Sequence, residues 1–115
     1  MPVAESVSVT LAALPRGVHI ITSVIEDALP SLPEVEVGTV SIFLPHTSAS
    51  LLLNEACDPS VRVDLEMVLN ELVPESEAYT HDDEGPDDMP AHAKSMLLGA
   101  SVTLPVRSSR LLLAS

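Results

Sequence analysis

Val35-Glu36-Val37-Gly38-Thr39-Val40-Ser41-Ile42-Phe43-Leu44, running straight into Pro45-His46-Thr47-Ser48-Ala49, is the stretch from which the fold is read. It is rich in β-branched residues, and towards its end it turns apolar on both faces. A strand with one wet face alternates, whereas a strand covered on both faces does not, so this one is expected at the centre of a sheet. It stops at a proline and a histidine, and the end of a strand is where a site can be assembled.

Upstream, Val3, Val7, Val9 and Leu11 hold odd positions with Ser6, Ser8 and Thr10 between them. That two-residue period predicts a half-buried first strand. After Pro15-Arg16-Gly17, the residues Val18, Ile21, Ile25 and Ala28 recur at helical spacing until Pro30 and Pro33 interrupt. A short first helix carrying His19 is expected there.

Downstream, Ser50 to Asn54 suits a further strand, and Asp58-Pro59 then supplies an N-cap followed by proline at the first helical position. In the helix that follows, Val61, Leu65, Val68, Leu69 and Leu72 form an apolar stripe opposite Asp64, Glu66, Asn70 and Glu71, and Pro74 ends it. Residues 75–88 hold seven acids around Gly85-Pro86 and read as a loop. Met89 to Leu98 forms a third helix, capped by Asp88 and stopped by Gly99. Val102, Leu104 and Val106 alternate as a strand, and Arg107-Ser108-Ser109-Arg110 turns into a last strand, Leu111 to Ala114. The order strand, helix, strands, helix, helix, strands defines an α+β fold.

At 115 residues, the chain suits a single domain spanning 1–115. Its 46% hydrophobic content and mean hydropathy of +0.34 provide for a packed core. With aromatics at 2%, that core rests on aliphatic residues, and oligomer contacts are expected to complete the burial. A net charge of -12, from 17 acids against 5 lysines and arginines, repels phosphate backbones and anionic lipid headgroups. No nucleic acid and no membrane partner is expected. Adaptation to high salt produces the same acidic, lysine-poor surface. The one cysteine, Cys57, and the lack of a leader or a membrane-length apolar run lead to a cytoplasmic expectation.

His46 follows a strand, His81 lies in the acidic loop, and His92 starts the third helix. Imidazoles at element ends suit metal binding and proton transfer near neutral pH, although spacing alone does not bring these three together. Each also has an ordinary reading: His46 as a strand-end residue bonded to a carbonyl, His81 as a surface ion pair, Asp88 as a helix cap. His19 and Cys57 are read as structural. No HExxH, paired CxxC, Walker loop or GxSxG elbow is present.

The run Pro45-His46-Thr47-Ser48-Ala49-Ser50-Leu51-Leu52-Leu53-Asn54-Glu55-Ala56-Cys57-Asp58-Pro59-Ser60-Val61 resembles the signature of the YjbQ-like family. Asp64, Tyr79-Thr80-His81, Glu84-Gly85-Pro86-Asp87-Asp88, Ala91-His92-Ala93-Lys94-Ser95 and Gly99 continue the likeness in order, over roughly positions 37–106. The resemblance implies a mixed β-sheet sandwich with about three helices, packed around a threefold axis as a homotrimer. It also implies a polar pocket to which the motif histidines and asparagine contribute, read as a metal site.

On that basis His46, His81, His92 and Asn54 are the candidate catalytic residues, and Lys94 and Ser48 are candidates for holding a bound group. His46, His81, His92 and Asp88 are candidate ligands for a divalent metal ion, zinc or magnesium. The family name implies a secondary thiamine-phosphate synthase, joining a pyrimidine diphosphate to a thiazole phosphate with release of pyrophosphate, so the expected partner is a small phosphorylated molecule. A trimeric non-catalytic small-ligand or metal-binding module and a metal-dependent phosphate hydrolase are the alternatives. The likeness fades at Ser108-Ser109-Arg110, where the family carries glycine and continues through a tryptophan-bearing strand. A chain truncated at this C-terminus is expected to lack a pocket wall or a trimer contact.

Overall fold

The β-branched run gives strand β1, Val37–Phe43, in the computed structural model, which describes residues 4–113. Helix α1, Thr22–Asp27, and a 3₁₀ turn, Leu32–Glu34, precede it. Helices α2, Pro59–Leu72, and α3, Asp88–Leu98, follow, and strands β2, Ser101–Arg107, and β3, Arg110–Leu111, close the order. Among the described residues the strands form one three-stranded sheet in the order β1-β2-β3. This is an α+β arrangement with three α-helices.

The chain divides into two compact units, Met1–Ser41 with Thr103–Ser115, and Ile42–Val102. It passes between them inside β1 and returns inside β2. In the first unit, Leu104 and Val106, 4% and 3% exposed, are the buried residues of β2, and their inward period of two matches the sequence alternation. β3 pairs antiparallel with β2, Val106 opposite Leu111 and Arg107 opposite Arg110, which leaves Ser108-Ser109 as a two-residue hairpin loop. Both serines have positive φ, 51° and 63°, as the twist of such a loop requires. Their amides donate to Glu36 O at 2.7 Å and Val35 O at 2.8 Å, and Ser109 Oγ donates to Pro33 O at 2.8 Å. The carboxylate of Glu5 accepts from Ser31 N and Ser31 Oγ, at 3.2 and 2.9 Å. Beside these contacts runs an open groove of about 830 Å³, lined by Glu5, Leu32, Glu36, Gly38, Val40 and Val106 among others.

In the second unit, Asp58 caps α2 by accepting from Ser60 N at 2.9 Å, and Pro59 opens the helix. This bond holds the Asp58 carboxyl below its usual range. Val73, 8% exposed, is buried at the other end of α2. The two long helices are tied by a polar chain: Lys94 Nζ donates to Asn70 Oδ1 at 2.6 Å, and Asn70 Nδ2 to Glu66 Oε1 at 3.2 Å. Helix α3 is anchored by the fully buried Pro90 and by Ser95 Oγ, which donates to Ala49 O at 2.9 Å. It ends at Gly99, whose φ of 91° suits glycine.

Several sequence expectations give way here. Residues 4–14 form no strand, because a strand needs a ladder and no neighbouring strand among the described residues supplies one. Val3 and Ala114 of the expected first and last strands lie outside the described residues. Ser50 to Asn54 is likewise irregular. The first helix is shorter than its apolar spacing suggests: Gly17 takes φ 141°, and His19, ahead of the helix, bonds through Nε2 to Pro15 O at 2.6 Å. β1 is an edge strand, with β2 as its one neighbour among the described residues and with Val37 80% and Phe43 70% exposed. On α2, Val61, Leu65 and Leu69 are half-buried, but Val68 and Leu72 are 43% and 69% exposed, so the inward face is centred further round the helix than the stripe implied.

Candidate functional site

Helix α3 begins in the acidic loop, and its first turns carry Asp88 and His92, four residues apart and therefore on one face. Pro90 lies between them, in the first turn, where its missing amide proton is not needed. Asp87 holds the N-cap position without a side-chain bond, so Asp88 is not the cap expected from the sequence. Its carboxylate is engaged elsewhere: Asp88 Oδ2 lies 2.8 Å from His81 Nε2 and 3.1 Å from His92 Nε2. Glu84 Oε2 is 3.9 Å from His81 Nε2. The two rings meet edge to face, with centroids 5.4 Å apart. One donor atom from each of His81, Glu84, Asp88 and His92 lies within 4.8 Å of every other.

His92 Nδ1 is 2.8 Å from Thr47 O. A carbonyl carries no proton, so Nδ1 must donate, and Nε2 then bears a proton only when the ring is charged. In the charged form Nε2–H donates to Asp88. In the neutral form its lone pair faces the cluster, the orientation that a metal-binding histidine takes when its other nitrogen is held by a carbonyl. The bond to Thr47 raises the His92 pKa, burial opposes it, and the negative charges of Asp88 and Glu84 add to it, leaving the value above the ordinary 6.5. For Asp88, burial pushes upwards, but the His81 hydrogen bond, the His92 charge and the His92 hydrogen bond hold it below the usual carboxylate value. Two imidazole nitrogens and two carboxylate oxygens are a donor set of the kind that zinc and other first-row divalent ions take, and it is less suited to magnesium, which prefers oxygen throughout.

The structure therefore brings His81, His92 and Asp88 together and adds Glu84. His46 is outside that set; its Nδ1 lies 3.0 Å from Ser48 N and 3.2 Å from Ser48 Oγ. Asn54 Oδ1 accepts from the next residue's amide, Glu55 N, at 2.8 Å. Lys94 is committed to Asn70, so it ties the helices and is absent from the cluster. Glu84 is hidden among seven acids, and its sequence signal is its place in the matched segment Glu84-Gly85-Pro86-Asp87-Asp88. None of the residues lining the 830 Å³ groove belongs to the cluster.

Fold and cluster define a small α+β protein with a histidine–carboxylate centre at the start of a helix. The model of one family, described as UPF0047 protein YjbQ-like, matches residues 7–115. The UPF0047 protein YjbQ of Salmonella typhimurium is 54% identical over 108 residues, covering 94% of this chain and 78% of that protein. Its counterpart in Escherichia coli O157:H7 is 48% identical over 104 residues, 90% of this chain and 75% of the other. Among solved structures, the conserved hypothetical protein TT1486 of Thermus thermophilus superposes with a TM-score of 0.72 at 36% identity, over 85% of this chain and 73% of that one. An uncharacterised YjbQ/UPF0047 protein of Clostridium acetobutylicum gives 0.72 at 29% identity, over 83% and 70%. The chain belongs to the YjbQ-like UPF0047 family.

Proposed function

We propose that this chain is a metal-dependent enzyme acting on a small phosphorylated molecule, with His81, Glu84, Asp88 and His92 as the metal-holding groups. The observation that carries the reading is the convergence of two imidazoles on one carboxylate oxygen, Asp88 Oδ2, beside a second carboxylate. The cluster's two carboxylates repel a phosphate, and a divalent cation, with zinc the best fit, is the counter-charge that offsets them. Bound there, it supplies Lewis acidity to a phosphoryl oxygen. The chain's own residues supply the rest: the Thr47 carbonyl fixes the His92 ring, and Asp88 orients His81.

The family resemblance favours thiamine-phosphate formation, in which a carbon–nitrogen bond forms between pyrimidine and thiazole units while a carbon–oxygen bond breaks and pyrophosphate leaves. Single-turnover mixing of the zinc-loaded chain with pyrimidine diphosphate and thiazole phosphate tests it. Thiamine phosphate and pyrophosphate should appear in equal amounts, and the yield should collapse in His92→Ala. Orthophosphate release instead points to a hydrolase, and binding of both substrates without product points to a non-catalytic module.

We assign the working form to a homotrimer. The open edge of β1, with Val37 and Phe43 exposed, and the 77%-exposed Met96 on α3 present apolar surface that a second and third copy can cover. Monomer alone in light scattering at micromolar concentration would refute this. No helix among the described residues is long and apolar enough to cross a membrane. The exposed free thiol of Cys57 supports a reducing, cytoplasmic setting.

A further inference from the structure

We infer that Ser95 is a positioning residue for this centre: by holding the Ala49 carbonyl, its hydroxyl aims the Thr47 carbonyl at His92 Nδ1 and so keeps the His92 Nε2 lone pair turned to the cluster. That role rests on the metal-holding reading above and belongs to a residue outside the cluster itself. The chain makes an excursion along α3 between residues 44 and 51. Leu44 N donates to Ala100 O at 2.8 Å and Leu51 N to Gly99 O at 3.3 Å, so both ends of this loop are fixed where α3 stops. Its middle reaches back towards the first turns of the helix, where Thr47 O meets His92 Nδ1 at 2.8 Å.

Between those ends and that tip, one hydrogen bond ties the loop to the helix. Ser95 Oγ donates to Ala49 O at 2.9 Å, and both residues are half-buried. Among the described residues, the other hydrogen bonds of 45–50 are internal to the loop: His46 N donates to Leu44 O, and Ser48 N and Oγ lie against His46 Nδ1. No strand or helix stiffens the segment. His92 and Ser95 are three apart on α3 and share a face, and the carbonyls they meet are two residues apart in the loop. The Thr47 carbonyl thus reaches His92 because the Ala49 carbonyl is held beside it. A slip of about 1 Å carries the 2.8 Å contact beyond hydrogen-bond range.

A neutral imidazole has one N–H, and two acceptors flank this ring: the Thr47 carbonyl at Nδ1 and the Asp88 carboxylate at Nε2, 3.1 Å away. The carboxylate is charged and is the stronger acceptor of the two. With the carbonyl in place, a proton on Nδ1 satisfies it and leaves the Nε2 lone pair facing the cluster. With the carbonyl displaced, the proton settles on Nε2 against Asp88, and the lone pair moves to Nδ1, on the side of the ring that faces the loop. A metal-holding nitrogen is then lost with His81, Glu84, Asp88 and His92 all still present. Contacts that orient a ligand in this way are worth about 10–100-fold in metal affinity.

The test uses the full chain with zinc as the probe. At about pH 9, above the ordinary histidine value, long-range proton–nitrogen correlation of the metal-free chain should show the parent His92 protonated on Nδ1, and the same ring in Ser95→Ala protonated mainly on Nε2. By calorimetry, Ser95→Ala should bind zinc at least roughly tenfold more weakly than the parent. Ser95→Thr keeps the hydroxyl and should return both readings to near the parent. Val73→Ala, which empties space at the buried end of α2, should melt lower yet keep the parental tautomer and zinc affinity, so lost stability alone does not imitate the effect. A parent ring protonated on Nε2, an unchanged tautomer in Ser95→Ala, or a Ser95→Ala zinc affinity within about threefold of the parent would each overturn the assignment. If Ser95→Ala does not fold, Ser95→Cys, close in size and a weak donor, makes the tautomer comparison, and an unchanged ring overturns the assignment there too. A parent that binds no zinc refutes the metal reading by itself, and the tautomer comparison then decides Ser95 alone.

Discussion

Replacing Ser108 by glycine should stabilise the chain, and replacing Ser109 should not. Both residues occupy the left-handed region, at φ 51° and 63°, where a Cβ crowds the carbonyl at a cost of about 1–2 kcal/mol. Glycine removes that cost but frees the unfolded chain, which returns about 0.4–1 kcal/mol. The net gain from backbone terms is therefore of order 0.5–1 kcal/mol at either position. The hydroxyls separate the two. Ser108 Oγ reaches Glu36 Oε1 only at 3.5 Å, at the limit of a hydrogen bond, whereas Ser109 Oγ donates to Pro33 O at 2.8 Å. Losing the shorter bond costs about 0.5–1.5 kcal/mol and cancels the gain. Ser108→Gly should thus melt roughly 2–8 °C above the parent, taking about 4–8 °C per kcal/mol for a domain near this size, and Ser109→Gly should stay near it or below. Calorimetry at one fixed protein concentration measures this, because any self-association makes the midpoint concentration-dependent. A Ser108→Gly midpoint below the parent, or a Ser109→Gly midpoint above that of Ser108→Gly, would refute the reasoning.

The Asp88–His92 pair should give the metal-free chain a stability window. The lowered Asp88 contributes fully above its unfolded value of 3.8 and loses that contribution as pH falls through its folded value. The raised His92 contributes fully below 6.5 and loses it as pH climbs through its folded value. Melting temperature should therefore fall on both sides of the interval between them, while zinc-dependent stabilisation should grow as pH rises and His92 releases its proton; a zinc effect that grows with acidity would contradict this. Leu65→Asp should cost more than Glu66→Ala, because it places a charge on the inward face of α2 while the second removes one acceptor from Asn70; equal denaturant midpoints would show that the buried face is misread. Leu104→Ala should cost about 2–4 kcal/mol in urea unfolding and Val68→Ala about 0.5 kcal/mol or less, since one residue is 4% and the other 43% exposed.

The site was legible in part. His81, Asp88 and His92 were named from motif segments in the sequence, and the structure brings those three together. Glu84 was not singled out, because in a run of seven acids its neighbours are equally plausible ligands and only the turn ahead of α3 selects it. Lys94 reads as a candidate for holding a bound group, and in the fold it bonds across to Asn70, 24 residues earlier, a partner no local pattern reveals.

What the sequence determined by itself is what short-range physics controls. Asp58, Pro59 and Pro74 bound α2, Gly99 stops α3, and the alternation of Val102, Leu104 and Val106 orients β2, because capping, proline geometry, positive φ and the two-residue period act within a few residues. The tertiary structure decided the rest. Val7, Val9 and Leu11 alternate as a strand would, yet a ladder needs a neighbour, and none is supplied among the described residues. β1 reads as central and lies at an edge, because strand order depends on which distant strand arrives beside it. Asp88 reads as a helix cap, but two imidazoles claim its oxygen. His46 and His92 look alike in sequence, and only a contact spanning 45 residues, Thr47 to His92, gives one of them a carbonyl while the next amide in the chain turns to the other. A tautomer is set by the group that packs against the ring, and that group is chosen by the fold.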